Sequence, residues 1–175
     1  MQALIIIDMQ NAWIEEHPRY ELDAIIDRIN RLIAHFRQQS KPIIFIQHEQ
    51  DSVQSNTYGW QIDDKLHRHV SDHYINKTAC DSFESTRLLE LLHKEACTTL
   101  SICGLATEFC VDTTLHSALS HGFDVIALSD AHTTADRTHL NAKSIIEHHN
   151  WVWANLALPT QRKLQVISTI DYLKS

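Results

Sequence analysis

Three side chains in this sequence have the types that acyl-transfer chemistry asks for: the carboxylate of Asp8, the amine of Lys77 and the thiol of Cys110. Asp8 closes the apolar run ALIIID and Lys77 falls near the end of HYINKT. Cys110 stands in GLATEFCVDTT, between the strand-like TTLSI and the amphipathic TLHSALSHG. A thiol attacks carbonyl carbon only as the thiolate, and a free cysteine with its pKa of about 8.5 is mostly protonated at neutral pH. A helix start supplies free N–H groups and a dipole that favour negative charge, and a neighbouring ammonium does the same. Position and Lys77 together therefore predict a Cys110 sulfur biased toward thiolate, with Asp8 able to take its proton. Each residue alone has an ordinary reading: a strand-end carboxylate bonded to loop N–H groups, a solvated lysine, a packed thiol. An acid, an amine and a helix-start thiol, each just past a strand, form a more informative set.

The elements that must carry them alternate. ALIIID, PIIFIQH, HYINKT, TTLSIC, DVIALSD and LQVIST read as strands, the first two apolar enough to be buried on both faces. Between them, Leu22, Ile25, Ile26, Ile29, Leu32, Ile33 and Phe36 recur at helical spacing, predicting a helix that ends near Ser40. SFESTRLLELLHKEA, EFCVDTTLHSALSH and HLNAKSIIEHHN read as further helices, with Thr107, Asp112, Thr113 and Thr114 capping or lining the start of the second. Residues 49–70 form a polar connection without a period. Alternating strands and helices imply a parallel sheet with right-handed crossovers and helices on both faces. Active sites in such sheets lie outside the carboxyl ends of the strands, which puts Asp8, Lys77 and Cys110 on one rim.

Composition narrows the function classes. At 175 residues the chain is expected to form a single domain, spanning 1–175, with one sizeable core. A net charge of −7 without a Lys/Arg cluster argues against a nucleic-acid partner. No apolar window is long enough for a membrane span, and MQALIIIDMQ lacks the basic start of a signal peptide. A cytoplasmic location is therefore expected. Cys80, Cys97, Cys103 and Cys110 include no CxxC pair, so disulfides are not expected, and the first three read as buried or incidental thiols. The thirteen histidines are dispersed; His67, His69 and His73 are the densest group and read as a solvated loop rather than a metal site.

The chain resembles the isochorismatase-like cysteine hydrolases, the superfamily that also holds nicotinamidases and N-carbamoylsarcosine amidases. The likeness covers nearly the whole chain and rests on IIIDMQNAW, INKTACDSF, and GLATEFCVDTT followed by GFDVIALSDA. It implies a Rossmann-like three-layer α/β/α fold around a doubly wound, mainly parallel six-stranded sheet. It also implies a catalytic triad of Asp8, Lys77 and Cys110, and a cis peptide before Ala106 that turns the Ala106 N–H toward that of Cys110 to make an oxyanion hole. A homodimer or larger assembly follows from the same resemblance, and no cofactor does.

Two positions depart from the pattern. Ala12 stands where the family often has an acid. QHEQDS puts His48 and Gln50 where nicotinamidases have the Asp and His of a metal site, so no metal is expected and nicotinamide is disfavoured as substrate. True isochorismatases lack the cysteine, because vinyl ether hydrolysis needs no thiolate; keeping Cys110 points to amide or related C–N chemistry on a small molecule through an acyl-enzyme. The alternatives are a metal-assisted nicotinamidase and a non-catalytic binding or assembly member of the fold. Trp13, Trp60, Phe83 and Phe109 flank the motifs and are candidates to bind substrate, with core packing as the competing reading.

Overall fold

The computed structural model describes residues 1–174. Its centre is β1 (Gln2–Ile7), whose residues alternate between two apolar clusters: Ala3, Ile5 and Ile7 belong to one, Leu4 and Ile6 to the other. A strand buried on both faces has no polar side to show, which is why it reads as an unbroken apolar run. It pairs in parallel with β2 (Ile43–His48) on one side and β4 (Thr99–Leu105) on the other. With β3 (His73–Lys77), β5 (Asp124–Thr133) and β6 (Leu164–Ile167), they form an all-parallel sheet in the order β3-β2-β1-β4-β5-β6.

Helices cover both faces. A short α1 (Asn11–Glu15) follows β1, and α2 (Leu22–Gln38) buries Ile25, Ile26, Ile29, Leu32, Ile33 and Phe36 against one side of the sheet. It stops where Ser40 takes a positive φ of 52° ahead of Pro42. On the other face α3 (Leu88–Lys94), α4 (Asp112–Ser120) and α5 (Ala142–Ala154) contribute Leu88, Leu92, Leu115, Ala118 and Trp153 to the cluster that holds Ala3, Ile5 and Ile7. A last turn, α6 (Thr169–Tyr172), stacks Tyr172 on Phe36. Among the described residues no helix is long and apolar enough to cross a membrane.

The differences from the sequence pattern are local. The third helix is shorter than SFESTRLLELLHKEA, because the Ser82 hydroxyl and N–H engage Thr114 and Ser85 takes a φ of 53°. α1 has too few residues to show a period. The chain after β4 first makes one π-helical turn, Thr107–Val111, and only then enters α4.

Strand order reverses between β1 and β4, and crevices at such switch points are where doubly wound folds bind ligands. The two strands approach closely there: a Cβ on Gly104, at φ 117°, would lie 2.2 Å from the Ile7 carbonyl oxygen, so only glycine fits.

Candidate active site

At the switch point the chain leaves β1 at Asp8, in a left-handed conformation with φ 51°. Asp8 is 2% exposed and Lys77, at the end of edge strand β3, is equally buried. The lysine's long stem carries its ammonium across the end of β2 to Asp8 Oδ2 at 2.8 Å. The same Nζ donates to the Ala79 carbonyl at 2.9 Å, approaches His48 Nδ1 at 3.1 Å and donates to Cys110 Sγ at 3.1 Å. Cys110 comes from the π-helical turn, which is hooked to the end of β4 by the Ala106 carbonyl accepting from the N–H groups of Phe109 and Val111. The Leu105–Ala106 peptide is cis. Three distant parts of the sequence thus meet around one ammonium.

The charges of this cluster depend on one another. Burial pushes the Asp8 carboxyl above its ordinary pKa, against the opposing pull of Lys77. Burial alone would lower the Lys77 ammonium, but Asp8 and then Cys110 outweigh it and hold its pKa above the usual lysine value. For Cys110, burial and then the Asp8 charge raise the thiol pKa, with Lys77 opposing. The expected bias of Cys110 toward thiolate is thus opposed by burial and by the Asp8 charge, with Lys77 on its side. One buried ammonium faces both the carboxylate and the sulfur, and its single positive charge can offset only one buried anion. Asp8 Oδ1 is buried without a hydrogen-bond partner among the described residues, an acceptor left open toward the cavity.

A cavity of about 280 Å³ opens over the cluster. Asp8, Cys110, Ala106, Trp13 and Phe109 line it, joined by His48, Gln50, Arg19 and Arg137, which sequence reasoning did not select as binding residues. Two candidates lie elsewhere. Phe83 is 7% exposed and packs in the core against Phe123 and His121. Trp60 stays off the cavity wall; its carbonyl accepts from the side chains of Gln10 and Gln47, and its indole N–H is buried without a partner among the described residues. Nor do the residues of the α4 start cap it. Thr107 bonds His132, Asp112 Oδ1 accepts from the Trp153 indole at 2.7 Å, and Thr114 bonds Ser82.

Buried Gln10 fastens the cavity floor. Its Oε1 accepts from the His48 N–H and the Trp13 indole, while its Nε2 donates to the carbonyls of His48 and Trp60. Its presence in DMQ, two residues past the strand-end acid, was the available signal. Burial and then Lys77 lower the His48 pKa, with Asp8 opposing; the ring accepts a hydrogen bond from the Lys77 ammonium at Nδ1. Asp8, His48 and Cys110 are the one group of ligand side chains among the described residues close enough to share an ion. The Lys77 ammonium sits among them and already supplies the positive charge, so the set does not suit a divalent metal. Gln50, where a nicotinamidase-type site needs an imidazole, offers only an amide.

Comparison with known proteins identifies the family and the fold. The isochorismatase domain model matches residues 2–169. A streptothricin hydrolase of Streptomyces noursei is 32% identical over 142 residues, covering 78% of this chain and 51% of that protein. The chain thus spans about half the length of that curated relative. An uncharacterized isochorismatase family protein of Bacillus subtilis, YrdC, is 32% identical over 136 residues, covering 74% of this chain and 72% of its own length. The crystal structure of an isochorismatase family protein, 38% identical, superposes with a TM-score of 0.88 over 95% of this chain and 98% of the other.

Proposed function

The chain belongs to the isochorismatase family of hydrolases, and from that premise we propose that it is a cysteine hydrolase cleaving an amide or related C–N bond of a small molecule through Cys110, Asp8 and Lys77. The observation that carries this reading is the buried ammonium 2.8 Å from the Asp8 carboxylate and 3.1 Å from the Cys110 sulfur. A structural ion pair needs no thiol on the floor of a cavity.

The steps follow from the groups. Asp8 takes the Cys110 proton as the sulfur attacks the carbonyl carbon, and Lys77 then neutralises the thiolate instead of the carboxylate. The carbonyl oxygen, now an oxyanion, is held by the N–H groups of Ala106 and Cys110; one such donor is worth about 2.7–4 kcal/mol. Protonated Asp8 gives its proton to the departing nitrogen, the C–N bond breaks, and a thioester on Cys110 remains. Water enters, Asp8 takes one of its protons, hydroxide adds to the thioester, and the acid leaves with the thiol restored. The balance is amide plus water giving acid plus amine.

Ammonia or amine release from a panel of small amides and carbamoyl compounds tests the reading. Replacing Cys110 by Ala is expected to lower turnover of any active member by about a thousandfold or more. Turnover that survives Cys110→Ala removes the reading.

A further inference from the structure

Beyond the sulfur, the cavity wall holds two guanidinium groups that the hydrolytic steps leave unused, Arg19 and Arg137. The Arg19 side chain is only 5% exposed. Its Nε donates to the Trp13 carbonyl at 2.7 Å, but its terminal nitrogens make no hydrogen bond among the described residues. Among the described residues the one carboxylate within ion-pair distance, Glu16, is 3.6 Å away and more than half exposed. Those terminal donors face the cavity that Arg19 lines, where a ligand acceptor can take the place of water.

The backbone enforces this arrangement. Arg19 forms an antiparallel bridge with Ala135, the Tyr20 N–H donates to the Thr134 carbonyl at 3.0 Å, and the Thr133 hydroxyl donates to the Tyr20 carbonyl at 2.7 Å. The segment carrying Arg19 is thereby clamped across the end of β5, beside the loop that carries Arg137. Arg137 is fixed as well: Nε and Nη2 reach Glu108 Oε1 at 2.8 and 2.6 Å, and its guanidinium lies 5.3 Å over the Phe109 ring. Burial lowers the Arg19 pKa, Glu16 opposes this, and Arg137 lowers it further. Two guanidinium groups thus share the wall, Arg137 paired with Glu108 and Arg19 only loosely with Glu16. An anion between them would gain from both while reducing their mutual repulsion.

We propose that Arg19 and Arg137 bind a carboxylate of the substrate, so that the hydrolase acts on small amides or related carbonyl compounds bearing an acid group. Planar guanidinium forks match carboxylate oxygens in geometry as well as charge, and Trp13 and Phe109 in the same lining offer apolar surface to the rest of the molecule. The proposal rests on the cysteine hydrolase reading only for where the scissile carbonyl sits.

Benzoate and benzamide, nearly isosteric and differing in charge, test it by calorimetric titration of the intact protein. Benzoate is expected to bind about tenfold or more tightly than benzamide, as charge-assisted hydrogen bonds predict. Arg137→Gln, at a partly exposed position, and Arg19→Lys, which keeps the buried charge but not the fork, should each remove most of that preference. Equal affinity, tighter benzamide binding, or no binding of either ligand at millimolar concentration overturns the proposal. So does a benzoate preference that survives both substitutions, since Lys77 would then be its source. A second readout is the rate at which Cys110 is alkylated by iodoacetate relative to iodoacetamide, normalised to a small free thiol. The ratio should exceed one in the wild type and fall toward one in both variants; a ratio at or below one counts against the carboxylate site. A Cys110 inert to both reagents, with hydrolysis surviving Cys110→Ala, would sink the nucleophile assignment, while the benzoate comparison would still decide the anion site.

Discussion

Two hollows on this molecule teach opposite lessons about where chemistry lies. The one at the sheet edge between β3 and α3, lined by His73, Tyr74, Arg87, Glu90 and Lys94, measures about 530 Å³, against about 280 Å³ for the cavity over Cys110. In the larger hollow Arg87, Glu90 and Lys94 are exposed, and water screens their charges. At the smaller one Asp8, in its lining, and Lys77, paired with it underneath, are each 2% exposed, so each charge depends on the other. Desolvation, not volume, makes ionisable groups sensitive to a proton or a ligand.

Deleting a charge in each place is the strongest way to break that comparison. Lys77→Met leaves Asp8 buried without a counter-ion, and losing one partner of a buried pair costs about 3–5 kcal/mol. Hydrolysis should vanish as well. Lys94→Met, in the larger hollow, should change stability by no more than about 0.5 kcal/mol. Urea denaturation of both variants settles it; equal effects would mean the cavity charges are as well solvated as the surface ones.

A buried group behind the cavity sharpens the same point through pH. His132 is 1% exposed, with Nδ1 against the Thr107 hydroxyl and Nε2 against Asn150 Oδ1. Asn150 Nδ2 donates to the Ser129 carbonyl, so its Oδ1 accepts from Nε2–H, and the Thr107 hydroxyl donates to Nδ1. Burial pushes the His132 pKa down to about 4 from 6.5. The unfolded chain therefore binds the extra proton between those values, and stability falls as pH drops from about 6.5 to about 4, by up to about 3 kcal/mol. His132→Gln should flatten that part of the stability profile. An unchanged slope would show that this histidine stays solvated.

The aromatic candidates divide the same way. Phe83→Leu, in the core, should cost about 1 kcal/mol of stability with activity retained. Phe109→Ala, at a half-exposed position on the cavity wall, should leave the melting temperature nearly fixed and raise KM. The reverse pattern would exchange their roles.

What the sequence made legible, and what it hid, follows from range. Strand ends are local signals, so Asp8 and Lys77 could be placed on one rim, and the parallel sheet follows from the alternation of strands with helices. Phe83 shows the limit: lying beside a motif in sequence does not fix which way a ring points, and this one turns into the core. Arg19 and Arg137 reach the cavity through a bridge between residues 19 and 135, a pairing no local pattern announces. The opposing pull of burial on the Cys110 thiol was hidden for a related reason. Helix position and a nearby lysine can be seen in sequence, but the burial that outweighs them is a property of the assembled fold.

The central claim, that Cys110 forms a thioester with Asp8 and Lys77 as one unit, is tested most directly by rapid-quench reaction with p-nitrophenyl acetate, followed by peptide mass mapping. The account predicts a burst of nitrophenol stoichiometric with protein, an acetyl group on Cys110, and no burst in Cys110→Ala or Lys77→Met. An acetyl group found instead on Cys80, the exposed thiol that also lines the cavity, or a burst that survives Cys110→Ala, would contradict it.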